Sequence, residues 1–174
     1  AGPMHGGMAV EPAQDYLWHY VVRDKGQCLP VAIGDEVHEV ELPPDTAFRW
    51  VHLNLADQRS HWWLDAQPAM SPRAREFLYS SGHHARVEVI DGALLCLVHA
   101  FRRDAADADE PIRAGLAILL TEDLLITARH TPLQATAELI DRVQAGEVFP
   151  TTAAMFEALV GSIAATVDAR VRAL

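Results

Sequence analysis

At 174 residues, with 24 Asp+Glu against 14 Lys+Arg, the chain carries a formal charge of −10. That balance argues against nucleic-acid backbones and anionic membrane surfaces, where counterion release rewards lysine and arginine. Half of the residues are hydrophobic and 22% are charged, which suits a globular domain with a sizeable core.

The stretch from Ala1 to Val10 holds Gly2, Pro3, Gly6 and Gly7 but no basic region followed by an apolar one. It is therefore not a secretion signal, and residues 1–15 are expected to form a flexible lead. No unbroken run of roughly 18 apolar residues occurs, so no bilayer span is expected. Leu17-Trp18-His19-Tyr20-Val21-Val22 reads as a first strand, rich in aromatic and β-branched side chains. Lys25-Gly26 turns it, and Val31 to Ile33 and Val37 to Val40 read as short edge strands before Pro43-Pro44. Phe48 to Leu53 is another strand, with Trp50 and His52 on one face and Val51 and Leu53 on the other.

Asp57 caps a helix carrying Trp62, Trp63 and Leu64. Adjacent tryptophans on a helix diverge by about 100°, so one of them is expected on a second surface, a mild sign of a subunit contact. Ser71-Pro72 opens a second helix that runs through Tyr79 and ends at Gly82. Two hairpins follow. Arg86 to Asp91 and Ala93 to Phe101 turn at Asp91-Gly92, a pair that tolerates the positive backbone angles of a two-residue turn. Arg113 to Leu120 and Leu124 to Arg129 form the second pair, after the acidic loop Arg103 to Pro111.

Leu94-Leu95-Cys96-Leu97-Val98 and Leu116-Ala117-Ile118-Leu119-Leu120 are apolar at every position rather than at alternate ones. Such strands are covered on both faces, and the flanking helical segments are placed to do it. The fold class expected is therefore a helix-covered mixed sheet. Thr131-Pro132 opens a third helix with Leu133, Ala137, Ile140 and Val143 on its apolar side, closed by Gly146. Pro150 to Thr152 starts the last helix, striped by Phe156, Leu159, Ile163, Val167, Val171 and Leu174. The stripe still runs at the final residue, which predicts either a longer natural protein or a tail packed on another subunit. The division expected is 1–15, 16–149 and 150–174.

Chemistry-bearing motifs are sparse. Cys28 and Cys96 are the two cysteines, with no Cys-x-x-Cys spacing for zinc or redox work. Cys96 sits in an apolar strand, as a small hydrophobe does, and a reducing cytosol is the simplest compartment. There is no Gly-x-Ser-x-Gly elbow, no Walker pattern and no Gly-x-Gly-x-x-Gly after a strand, so no enzyme activity and no required cofactor are expected. Nine histidines are present, and His83-His84 offers a loop pair for a metal, although no His-x-x-x-His step supplies the four ligands of a structural zinc site. Asp104, Asp107, Asp109 and Glu110 lack the spacing of a calcium-binding loop.

The order of elements resembles the soluble domain of the CorA family of divalent-cation transporters. The carriers are Trp50-Val51-His52-Leu53-Asn54, the helix with Trp63-Leu64, the strand start Arg86-Val87-Glu88, and Leu125-Ile126-Thr127-Ala128-Arg129. After them come Pro132-Leu133, Gly146, and the long helix with Phe156, Leu159 and Ile163. Arg129-His130-x-Pro132-Leu133 is closer to the ZntB branch, associated with zinc, than to the magnesium branch. The resemblance spans Phe48 to Leu174 and implies an α/β/α sandwich with a mixed parallel/antiparallel sheet, ending in a long helix. It further implies the cytosolic regulatory funnel of a zinc or magnesium transporter at the inner (plasma) membrane, assembled as a homo-pentamer. Its membrane contact would be made only by a further C-terminal region. The family's acidic sensing residue falls nearest Glu76, so Glu76, His83 and His84 are the metal candidates. Two other readings stand beside this one: a freestanding metal- or ligand-binding module using His83-His84, and a small enzyme with Cys28 as nucleophile.

Overall fold

Seven strands form one mixed sheet in the order β2-β1-β3-β7-β6-β5-β4. They are β1 (Leu17–Arg23), β2 (Cys28–Pro30), β3 (Thr46–Asn54), β4 (Arg86–Ile90), β5 (Ala93–Phe101), β6 (Arg113–Leu120) and β7 (Leu124–Arg129). The helices are α1 (Gln58–Asp65), α2 (Pro72–Tyr79), α3 (Gln134–Gln144) and α4 (Thr152–Arg172). The computed structural model describes residues 16–31, 41–80, 84–103 and 113–174. Residues 1–15, 32–40, 81–83 and 104–112, and the expectations that fall on them, lie outside the described residues.

β3 and β7 pair in parallel, and the other neighbouring strands pair antiparallel. At the first hairpin Asp91 has φ 52° and Gly92 φ 80°, both positive as a type I′ turn requires. The apolar runs divide between two cores, as strands covered on both faces must. Leu95, Leu97, Ala117 and Leu119 point to the layer of α1 and α2, with Trp63, Leu64, Phe77 and Leu78. Cys96, Leu116 and Ile118 point to the layer of α3 and α4, with Leu139, Val143, Met155 and Leu159. Each fully buried aliphatic side chain of this kind contributes roughly 1.5–3 kcal/mol. The α/β/α sandwich with a mixed sheet is the observed fold.

Local chemistry starts the helices. The Asp57 carboxylate accepts from the Arg59 amide at 2.9 Å, Ser71 Oγ from Ala74 at 3.2 Å, and Thr151 Oγ1 from Ala154 at 3.0 Å. Trp63 is buried whereas Trp62 is 61% exposed, the divergence that helical geometry demands.

Several details differ from the sequence-based expectation. The edge strand beside β1 is Cys28–Pro30, and Val31 lies just past it outside any strand. The Gly26 turn is so tight that pairing begins at once. α2 ends at Tyr79, because Ser80 turns to extended backbone (φ −64°, ψ 127°), short of Gly82. α3 begins at Gln134 behind an extended Leu133 that makes no side-chain cap; Leu133 is instead held in the core and bridged to Arg102. Its buried face is Ala135, Thr136, Leu139 and Val143, rotated from the expected stripe because α3 packs on the sheet and on α4 together.

On α4 only Thr152, Met155 and Leu159 are buried, while Val160, Val167 and Val171 are exposed. By length and composition α4 is apolar enough to cross a membrane, contrary to the expectation of no such segment. Interspersed Ala, Gly, Ser and Thr keep it apolar on average without an unbroken apolar run. One such helix, packed on the sheet at its start, is weak evidence of a span.

Candidate functional site

Glu76 lies on the exposed side of α2, in an open groove with Arg73, Arg86 and Glu88. Arg73 Nη2 stands 3.6 Å from Glu88 Oε2. Arg86 donates to the Ser80 hydroxyl at 3.1 Å and lies 4.7 Å over the Phe77 ring. Two guanidinium groups thus offset two carboxylates. His84 is exposed in the bend before β4, and His83 lies outside the described residues. Among the described residues, no three His, Cys, Asp or Glu side chains are placed to hold a metal ion together.

Cys28 is half-buried in β2, and burial, with Glu147 adding, pushes its thiol up to about 11. A thiol protonated at neutral pH is a poor nucleophile, which removes support from the enzyme reading. Cys28 and Cys96 are both free. Strands β1, β3, β7 and β6 intervene between theirs, which at about 4.8 Å per strand is far beyond disulfide reach.

The polar groups that the fold does bring together lie away from Glu76 and His84. On the α3/α4 face, Trp50 Nε1 donates to Thr127 Oγ1 at 3.0 Å, and His52 Nδ1 lies 2.7 Å from the same hydroxyl. Arg129 is buried beside them, its guanidinium 5.6 Å from the Trp18 ring centre and its Nε without a partner. On the α1/α2 face, His19 is 4% exposed and neither ring nitrogen has a hydrogen-bond partner. Desolvation, with the Arg49 charge adding, lowers this imidazole to about 4.

His19 opens onto a cleft of about 750 Å³. The cleft lies where the α1–α2 connection, the segment leading into β3, the β4–β5 turn and the β6–β7 turn meet. Arg49, Gln67, Asp91, Thr121 and Asp123 are among its other polar groups, and Met70, Ile90, Leu119 and Ile126 belong to its apolar wall. The register places His19 opposite Val51 and Arg49 opposite Val21, so the two polar side chains are diagonal neighbours on one face. A signal for them existed in the alternation. Leu17-His19-Val21 and Arg49-Val51-Leu53 each put one polar residue on a face that is otherwise buried.

Residues 45–174 match the family model described as CorA-like Mg2+ transporter protein. The chain belongs to that family. This CorA-like chain is similar in fold to the full-length CmaX protein, with 20% identity and a TM-score of 0.77 over 90% of this chain and 47% of that one. It is likewise similar to the ZntB cytoplasmic domain from Vibrio parahaemolyticus, at 12% identity and a TM-score of 0.74, covering 91% of this chain and 62% of that one. The soluble domain of CorA from Methanocaldococcus jannaschii follows at 14% and 0.65, covering 84% and 55%. At such identities the likeness shows the fold alone, and the CorA-like chain spans between 47% and 62% of the length of these structures. Among curated protein sequences none matches it significantly.

Proposed function

We propose that this CorA-like chain is the cytosolic regulatory domain of a divalent-cation transporter, with magnesium or zinc as cargo, and that it works as a homo-pentamer. The observation that carries the reading is α4. Its first two turns are anchored in the core by Met155 and Leu159, and its later turns extend Val160, Val167 and Val171 into solvent. An apolar face of that length is a contact surface for further helices or a neighbouring subunit. The family model's description supports magnesium, and the fold likeness to a ZntB cytoplasmic domain supports zinc.

In this reading the net charge of −10 draws cations toward the assembly, an effect that falls as salt rises. Glu76 and His84 on the surface, with His83, are the proposed metal contacts. A cation would regulate by binding one subunit arrangement more tightly than another. The test is cation uptake into proteoliposomes holding the longest natural protein that carries this domain. Wild type is expected to admit magnesium or zinc, and Glu76→Ala to shift the cation concentration at which uptake is damped. Absence of uptake for both ions overturns the transporter reading; an unshifted response removes Glu76 from it.

A further inference from the structure

We propose that the His19–Arg49 cleft binds a small amphipathic organic anion, its acidic head on the Arg49 guanidinium and the His19 ring, its apolar body against Met70, Ile90, Leu119 and Ile126. The cleft's volume of about 750 Å³ falls in the usual range for small-ligand sites, roughly 300–1,000 Å³. Its composition follows the same pattern, an apolar wall with a few convergent polar groups.

His19 is the observation that points to a ligand. Buried polar groups nearly always find a partner, yet this ring, 4% exposed, satisfies neither nitrogen. A neutral imidazole offers one N–H donor and one acceptor, and the residue lines the cleft. Arg49 fixes the sign of the ligand. Its guanidinium is partly desolvated, which lowers its affinity for its own proton, while the Asp123 charge acts in the opposite sense; no ion pair within 4 Å engages it among the described residues. A guanidinium held this way favours a carboxylate or phosphate, whose oxygens match its forked donors.

The acidic neighbours do not reverse that preference. Asp91 and Asp123 stand at the mouth and are exposed, where water weakens their charges, and the Asp123 charge that reaches Arg49 is outweighed by desolvation of the guanidinium. Asp123 is further engaged by the Thr121 hydroxyl at 2.9 Å. A metal cation is disfavoured in the same place, because Arg49 repels it at the one imidazole that would ligate it.

The proposal is tested on the 174-residue chain by calorimetric titration with octanoate, octyl phosphate and 1-octanol, and by the ring nitrogen shifts of His19. Octanoate or octyl phosphate is expected to bind saturably at one site and to move the His19 signals, with 1-octanol about tenfold or more weaker. Preference between the two anions distinguishes a carboxylate from a phosphate head. Arg49→Gln should weaken the anion about tenfold and leave 1-octanol unchanged. Ala69→Trp, at an exposed position on the rim, should block all three without touching the core. Equal binding of alcohol and anions, indifference to Arg49→Gln, or no saturable binding of either anion overturns the proposal.

Discussion

The indole N–H of Trp50 donates to the Thr127 hydroxyl at 3.0 Å, across the parallel pairing of β3 with β7. Thr127 lies directly opposite His52 in the register, and the His52 Nδ1 lies 2.7 Å away on the same oxygen. Indole can only donate, so the hydroxyl accepts from Trp50, and the direction of its bond with His52 follows the imidazole tautomer. One small side chain thereby satisfies two buried aromatic polar groups at the only parallel joint among the described strands.

Thr127→Val keeps the shape and removes the hydroxyl. It strands the Trp50 N–H and the His52 Nδ1 together, so a loss of about 2–3 kcal/mol is expected. For a chain of this size that lowers the melting temperature by about 5–10 °C. Thr127→Ser, which keeps the oxygen and loses a methyl, should cost only about 1 kcal/mol. Calorimetric melting compares them; a valine variant no less stable than the serine one would show that the hydroxyl is not a needed partner.

Acidification tests the two buried imidazoles. Desolvation, with Arg129 adding, lowers His52 to about 3, and His19 stands lowered to about 4. In the unfolded chain both return to about 6.5. Below that value the unfolded state binds two protons that the folded state refuses, so stability is full above pH 6.5 and declines toward pH 4. Between pH 7.5 and pH 5.5 the decline should reach about 2–3 kcal/mol, measured by denaturant unfolding. His19→Phe should roughly halve it. A flat profile over that range would mean that neither ring is buried as described.

Gly26 and Phe149 supply a backbone test. Gly26 sits at φ 84° and its carbonyl accepts from the Phe149 amide at 2.9 Å. A Cβ on Gly26 would come within 3.0–3.1 Å of Phe149 backbone atoms. Gly26→Ala therefore meets both a left-handed penalty and a clash, together about 2–4 kcal/mol. Gly146 has a similar φ of 90° but nothing within 4 Å of an added Cβ, so Gly146→Ala should cost only about 1–2 kcal/mol. Equal losses in the two variants would show that the Phe149 contact is not tight.

The elements themselves were legible because their causes are local. Asp91-Gly92 permits a two-residue turn whatever surrounds it, and Asp57, Ser71 and Thr151 present their oxygens to amides a few residues away. Leu94 to Val98, apolar throughout, announced cover on both faces before any helix was placed. The expected metal side chains were a different matter. Glu76 follows from the family resemblance and His84 from the His83-His84 pair, and neither conveys that Arg73 and Arg86 share the groove with Glu76. His19 and Arg49 were passed over because each reads as an ordinary polar residue in its own strand.

By itself, the amino-acid order determined the number of hairpins, the starts of α1, α2 and α4, the layered class and the long last helix, since turn geometry, capping and apolar periodicity act over a few residues. Tertiary structure alone decided that β7 would lie against β3, joining Trp50 to Thr127 from 77 positions away. It alone decided that His19 and Arg49 would line one cleft, and that α4 would bury Met155 and Leu159 in its first two turns and expose Val160, Val167 and Val171 beyond them. Those outcomes depend on which apolar faces exclude water from one another, and that competition is settled across the whole chain at once.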